Sequence, residues 1–268
     1  FVHQVAPRLA GIKALKLRDP GKGYDGVASY EILGKITAPG GVGHALAFRR
    51  ENAIEPCLGK ATVPSPLTMT IFFAPDSNAD DHLDELGRIV ELEVSAIVDA
   101  GATEIQIDAP SEAIALALKQ RTVAEIAATL HRPLQAIPSS VCRSIHFCLG
   151  DISRKPATEV QNLRSLLPLV QSLEGQIDRV HFEASYAGQW QDRALLAEVP
   201  ASIEVIAGIA DVKTAPESVA TLKTQIDALL EVIPANRLLV ATSCGCGRVP
   251  HDEAIRLTRN LVKAAGGQ

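Results

Sequence analysis

The chain has 268 residues, 47% of them hydrophobic and 21% charged, with a net charge of −5 at neutral pH. That composition belongs to a folded globular chain and excludes a disordered one. The singly scattered Lys and Arg argue against a nucleic-acid surface or an anionic membrane as partner, and no apolar run approaches the roughly 18 residues of a membrane span. No signal-peptide pattern opens the chain. Five cysteines, Cys57, Cys142, Cys148, Cys244 and Cys246, are an odd number at irregular spacing, which fits reduced thiols and a cytoplasmic setting. The first residue is Phe, so a truncated chain is expected.

In chain order, residues 1–60 read as an irregular arm or hairpin. Its two β-like runs, Leu9–Leu17 and Ser29–Ile36, flank a loop rich in Gly and Asp. Gly40-Gly41-Val42-Gly43 matches no phosphate-cradling spacing and reads as a flexible joint. From residue 61 to 268 the pattern becomes one of strand–helix repeats in a single domain. Ala61–Val63 is a strand end before the rigid Pro64-Ser65-Pro66. Asp80–Ala100 is an amphipathic helix with Leu83, Leu86, Ile89, Val90, Val94, Ile97 and Val98 on one side, closed by Gly101 as a left-handed cap. Strand Glu104–Asp108 precedes a helical region from Ser111, and Thr122-Val-Ala-Glu125 has the form of a capping box opening another helix.

The stretch Ser144-Ile-His-Phe-Cys-Leu-Gly150 reads as a buried strand after the turn at Pro138-Ser-Ser140. Helices are expected over 158–174 and near 192–198, with strand Arg179–Glu183 between them and strand Ile203–Ala207 after them. Thr214-Ala-Pro-Glu217 has the form of a second capping box, opening a helix to about residue 232. Strand Arg237–Ala241 and a helix over 251–265 close the series. Buried strands alternating with helices six times give an α/β fold with a parallel sheet. With no G-x-G-x-x-G at a helix start, the expectation is a TIM-type (β/α)8 barrel lacking its first strands.

In such a barrel, chemistry gathers where strands hand over to loops at their C-terminal ends. Asp108 ends one strand, His146 and Cys148 another, Glu183 a third, and Cys244 and Cys246 follow the last. His146 and Cys148 alternate onto one face, and with Glu183 and one late cysteine they make a donor set suited to tetrahedral Zn2+. The plainer alternative is a packed histidine beside a buried thiol, a solvated acid and loop cysteines. Two thiolates and a carboxylate would leave the metal electron-rich. Such an ion is poor at activating water and better suited to holding an incoming thiol as its thiolate, so thiol alkylation is the expected chemistry.

The motifs Ile105-Gln-Ile-Asp108 with Pro110, His146-Phe-Cys148, Glu183 and Ser243-Cys244-Gly245 resemble the catalytic domain of cobalamin-independent methionine synthase and its shorter relatives. These share a barrel superfamily with uroporphyrinogen decarboxylase and epoxyalkane:coenzyme M transferases. The resemblance implies His146, Cys148, Glu183 and Cys244 as zinc ligands, with Cys246 in reserve. It implies Asp108 as the acid that binds the amino group of homocysteine, with a capping aspartate before Pro110 as the alternative, and a folate or corrinoid protein as methyl donor. Ala109 departs from the family's Glu. Lys213 stands where the long folate-dependent enzymes carry histidine, a position that would hold an anionic substrate group or merely start a helix. The family's first two strands, and a glutamate on the second, have no match. Three other readings stand beside methionine formation: alkyl transfer to another small thiol such as coenzyme M, a structural zinc in a binding barrel, and a uroporphyrinogen-type decarboxylation that needs no such donor set.

Overall fold

The chain opens on β1 (Ala10–Ala14) and β2 (Tyr30–Thr37), paired antiparallel with an irregularity between Ala10 and Ile12. The computed structural model describes residues 4–19, 28–54, 59–151, 154–160, 162–185 and 187–267. The Gly- and Asp-rich loop expected between the two strands lies, over residues 20–27, outside the described residues, as does Cys57.

After α1 (His44–Ile54) come β3 (Lys60–Pro64), the short α2 (Pro66–Met69), α3 (Leu83–Asp99), β4 (Glu104–Asp108), α4 (Pro110–Ala117), α5 (Val123–Gln135) and β5 (Cys142–Phe147). Then follow α6 (Leu167–Ser172), β6 (Arg179–Glu183), α7 (Ala187–Gln191), β7 (Glu204–Ala210), α8 (Val219–Leu230), β8 (Leu238–Thr242) and α9 (His251–Ala264). The sheet holds six strands in chain order, β3-β4-β5-β6-β7-β8. This is the repeating βα architecture expected of a TIM-type barrel, with six of its eight strands among the described residues. No described helix is long and apolar enough to cross a membrane.

The chain divides into two compact units, one of residues 1–112 with 124–145 and one of residues 113–123 with 146–268. In the first, β3 and β4 pair in parallel from Lys60↔Glu104 to Pro64↔Asp108, and Val63, Ile105 and Ile107 are fully buried. Ser65 caps α2 by accepting from the Thr68 N–H at 2.9 Å. Gly101 adopts a positive φ of 91° at the end of α3, the left-handed cap expected of it.

In the second unit, β6, β7 and β8 pair in parallel, and the register slips between Gly208 and Ala210. Phe147 and Phe182, both buried, lie with ring centroids 6.3 Å apart. Val180, Val205, Ala207 and Ile209 are fully buried, the pattern of strands covered on both faces.

Four local expectations need correction. Helix α1 occupies a stretch with no predicted helix. The helix expected over 158–174 is confined to α6. Ahead of it, Thr158 Oγ1, Asn162 Oδ1 and Asp192 Oδ2 accept from the backbone N–H groups of Val160, Ser165 and Leu163, and side-chain bonds of this kind compete with a helix. Pro168 then sits in the first turn. Thr214 and Glu217 do not open α8. Ser218 does, accepting from Thr221 N–H at 3.1 Å, while Glu217 turns back to accept from Asp211 N–H at 3.0 Å. Finally, residues 192–198 form a 3-10 turn after α7 rather than a regular helix.

Candidate metal centre

The second unit brings together three of the predicted donors. One ligating atom from each of His146, Cys148 and Cys244 lies within 4.8 Å of the other two. His146 is the penultimate residue of β5. Cys148 directly follows the end of β5, where the expected strand ran through it, and Cys244 stands two residues past β8. All three come from the C-terminal ends of strands, where a parallel α/β sheet places its chemistry.

The two sulfurs are 3.7 Å apart. Thiolates held tetrahedrally about 2.3 Å from one zinc ion sit roughly 3.8 Å from each other, so this spacing is that of two ligands on one ion. His146 Nδ1 donates to the backbone carbonyl of His181 at 3.3 Å, which leaves Nε2 as the ligating nitrogen of the neutral ring. A ligating histidine whose other nitrogen donates to a carbonyl is the usual outer-shell arrangement of metal sites. The residues present therefore fit a zinc ion in both donor type and spacing.

His181 supports the site from below. Its ring lies 4.2 Å, centroid to centroid, from that of His146, and its Nε2 donates to the Thr242 carbonyl at 3.0 Å. Gly208 makes room for this packing. A Cβ there would come within 2.8 Å of Ser243 Cα and 2.9 Å of His181 Nε2. The sequence reading passed over His181, although its place two residues before Glu183 on one strand puts both side chains on one face.

Glu183 lies outside that close group of three. One of its carboxylate oxygens accepts from Leu149 N–H at 3.1 Å, and the other is paired with the Lys213 ammonium. Both side chains of the pair are 1% exposed. Burial pushes the Glu183 carboxyl up, against the pull of Lys213. Burial works against the Lys213 ammonium too, but Glu183, Cys148 and Cys244 outweigh it and the lysine moves up. The lysine's direction is that of an ion pair and the acid's is that of desolvation, and the contact gives each buried group a polar partner. Between the cysteines, Cys148 is held well above the usual thiol range by its contact with Cys244 and by burial, while Cys244 is drawn well below it by Cys148, His146 and Lys213.

Cys246 stands apart from the three-donor group, with its thiol pushed up by burial and by Cys244. Asp108 belongs to the first unit. Its Oδ1 accepts from Gln106 Nε2 at 2.6 Å, and its carbonyl accepts from Ser65 N–H.

A profile of the family described as "Cobalamin-independent synthase, Catalytic domain" matches residues 44–267. The chain is 26% identical to a methionine synthase of Methanothermobacter marburgensis, over 90% of this chain and 75% of that one. It is 27% identical to a 5-methyltetrahydropteroyltriglutamate–homocysteine methyltransferase of Salinibacter ruber, over 67% of this chain but only 21% of that one. Among solved structures, a B12-independent methionine synthase from Shewanella in complex with selenomethionine aligns with a TM-score of 0.75 at 19% identity, covering 97% of this chain and 76% of the other. A methyltransferase from Methanosarcina mazei aligns with a TM-score of 0.61 at 13% identity, over 99% and 76%. At those identities the structural likeness speaks for the fold.

Proposed function

The chain belongs to the cobalamin-independent synthase family, catalytic domain, and from that premise we propose that it transfers a methyl group to the sulfur of homocysteine to make methionine. The observation that carries this reading is the meeting of His146, Cys148 and Cys244, with the two sulfurs 3.7 Å apart. The names of the relatives, methionine synthase and homocysteine methyltransferase, support the same substrate. The family match runs across both compact units, which supports reading them as one catalytic domain. The cysteines of the described residues are all free, which supports a reducing, cytoplasmic setting.

We assign zinc to the cluster, held by His146, Cys148 and Cys244, with Glu183 as the fourth ligand on the resemblance. When bound, such an ion lowers the pKa of a coordinated thiol and so supplies a thiolate at neutral pH. The chain's own residues do the rest. Cys148 and Cys244 give the site its sulfur donors, and His181 holds the His146 ring through stacking and its carbonyl. Leu149, next to Cys148, and Val212, next to Lys213, are buried. In the transfer, the substrate sulfur forms the new bond to the methyl carbon, the old bond's electron pair stays with the donor, and the thiol proton goes to solvent. On the resemblance alone, Asp108 takes the amino group of the amino acid, and the donor is a folate or a corrinoid protein.

The test is methionine formation by zinc-loaded protein given homocysteine with either methyltetrahydrofolate or methylcobalamin, followed by mass spectrometry. Methionine from either donor supports the reading, and its absence from both, with the metal in place, overturns it. Alkyl transfer to another small thiol is the second reading. It is favoured by Ala109, a fully buried residue where the family's acid would stand, and methylated coenzyme M in place of methionine would identify it.

A further inference from the structure

Resting on the reading of Asp108 as the acid that takes the substrate's amino group, we infer that Gln106 is a second specificity-determining residue for that group. Its amide nitrogen positions the Asp108 carboxylate. Its amide oxygen, with the Ser144 hydroxyl on the next strand, supplies acceptors for the remaining N–H bonds. Three observations lead there, all within the first unit.

First, the sheet has one apolar and one polar face at β3 and β4. Ala61 and Val63 pair with Ile105 and Ile107, all four are buried, and α3 packs on β3. The alternate pairs, Lys60↔Glu104, Thr62↔Gln106 and Pro64↔Asp108, look the other way. Lys60 and Glu104 meet on that side in an ion pair of 2.9 Å. In a parallel barrel the side turned from the helices is the inner one, whose layers are ordinarily filled by branched aliphatic side chains. Gln106, 7% exposed, departs from that rule.

Second, the Gln106 amide is only half satisfied. Its Nε2 donates to Asp108 Oδ1 at 2.6 Å, and since a carboxylate accepts, this bond fixes which way the amide is turned. Its Oε1 is buried and meets no hydrogen-bond partner among the described residues. A buried acceptor in that state is costly unless something binds it.

Third, β5 brings a second such atom to the same level. Ser144 is 0% exposed, and its Oγ also lacks a partner among the described residues. Backbone bonds give the register. Glu104 N–H donates to the Gly59 carbonyl where Lys60 pairs with Glu104, and Glu204 N–H donates to the Asp178 carbonyl where Arg179 pairs with Glu204. Cys142 N–H donates to the Thr103 carbonyl in the same way, which sets Cys142 beside Glu104 and Ser144 beside Gln106. Neighbouring strands lie about 4.8 Å apart, so the two side chains line one spot. A carboxylate, an amide oxygen and a hydroxyl oxygen on one face suit the three N–H donors of a primary ammonium and would repel an anion.

The experiment measures binding to the zinc-loaded protein by isothermal titration calorimetry. The ligands are L-homocysteine and 4-mercaptobutanoate, which keeps the thiol and the carboxylate but lacks the amino group. Wild type, Gln106→Leu and Ser144→Ala are compared, with circular dichroism to check folding and metal analysis to check zinc. The wild type should prefer homocysteine. Gln106→Leu should bind homocysteine about 10- to 100-fold more weakly, the size of a hydrogen bond to a charged group, while its affinity for 4-mercaptobutanoate stays within about twofold. Ser144→Ala should lose a smaller part of the same preference, about 3- to 10-fold, as for an ordinary hydrogen bond. The inference is overturned if the preference survives in both variants, as it would if the two oxygens served only an ordered water. It is equally overturned if both ligands weaken alike, which is what a purely structural role would give. A wild type that binds the two ligands alike, or neither, would instead overturn the reading of Asp108 on which the inference rests. Each variant is read as a ratio of two ligands on one protein, so Ser144→Ala keeps the test decisive if Gln106→Leu does not fold.

Discussion

Each compact unit buries a glutamate, and the two are satisfied in opposite ways. Glu93 in the first unit, 3% exposed, accepts from the backbone N–H groups of Val42 and Ala45, both at 2.8 Å. Those donors flank the first residue of α1, so the carboxylate caps a helix N-terminus and meets its partial positive charge. Glu183 in the second unit, 1% exposed, faces an ammonium and lies in the field of two thiols. Main-chain donors around a buried acid are what stability needs. A charged donor beside sulfur is what chemistry needs, and it is harder to keep buried. The difference separates a carboxylate that holds the fold from one that serves a site.

The largest effect expected is on the site. Cys148→Ser removes a sulfur donor, and bound zinc should fall from about one per chain to almost none, as measured by metal analysis after dialysis. Zinc retained at full stoichiometry would break the distinction drawn between the two carboxylates. On the other side of the comparison, Glu93→Ala leaves two buried N–H groups without their acceptor and should cost about 3 kcal/mol in denaturant unfolding. It should leave the zinc stoichiometry of the folded protein unchanged, since its work is confined to α1.

The comparison also shows what the sequence could and could not reveal. Asp108 and Glu183 were legible because each closes a short apolar strand, and His146 because it stands one residue before the end of another, a pattern that period and composition expose directly. The sheet followed from the same regularity. Helix α1 was not legible. It has little apolar periodicity, and its cap comes from Glu93, 51 residues along the chain from Val42, so nothing local announces it. Lys213 was noticed as a departure, but its partner was not, because the pairing depends on how side chains 30 residues apart pack. The capping box at Thr214 had the right letters, and Ser218 took the cap while Glu217 bonded Asp211. Local pattern fixed where strands end; which polar groups meet there is a property of packing.

Gly208→Ala sharpens the same contrast at smaller cost. The added methyl meets Ser243 Cα at 2.8 Å and the Phe182 carbonyl at 2.9 Å, backbone contacts that must shift rather than rotate away. A loss of about 2 kcal/mol is expected, the usual size of overpacking. Ser243 precedes Cys244, so zinc affinity should weaken with it, by about 10-fold, as for other outer-shell changes. A variant with lowered melting temperature and unchanged zinc affinity would detach Gly208 from the metal loop.

The smallest effect expected is a pH dependence in the first unit. Burial tends to raise the Glu85 carboxyl, but the N–H of Ile36 at 2.8 Å and the imidazole of His82 hold it below its ordinary value. A carboxyl whose folded pKa is depressed adds stability above its unfolded pKa, about 4.3, and loses it as the pH falls through the lower folded value. Glu85→Gln should therefore cost less than about 1 kcal/mol at pH 7, because the pair is partly exposed, and the gap between variant and wild type should close below about pH 4. Urea unfolding at a series of pH values reads both. A gap that stays constant into acid would mean that shape, rather than charge, is what Glu85 contributes to β2.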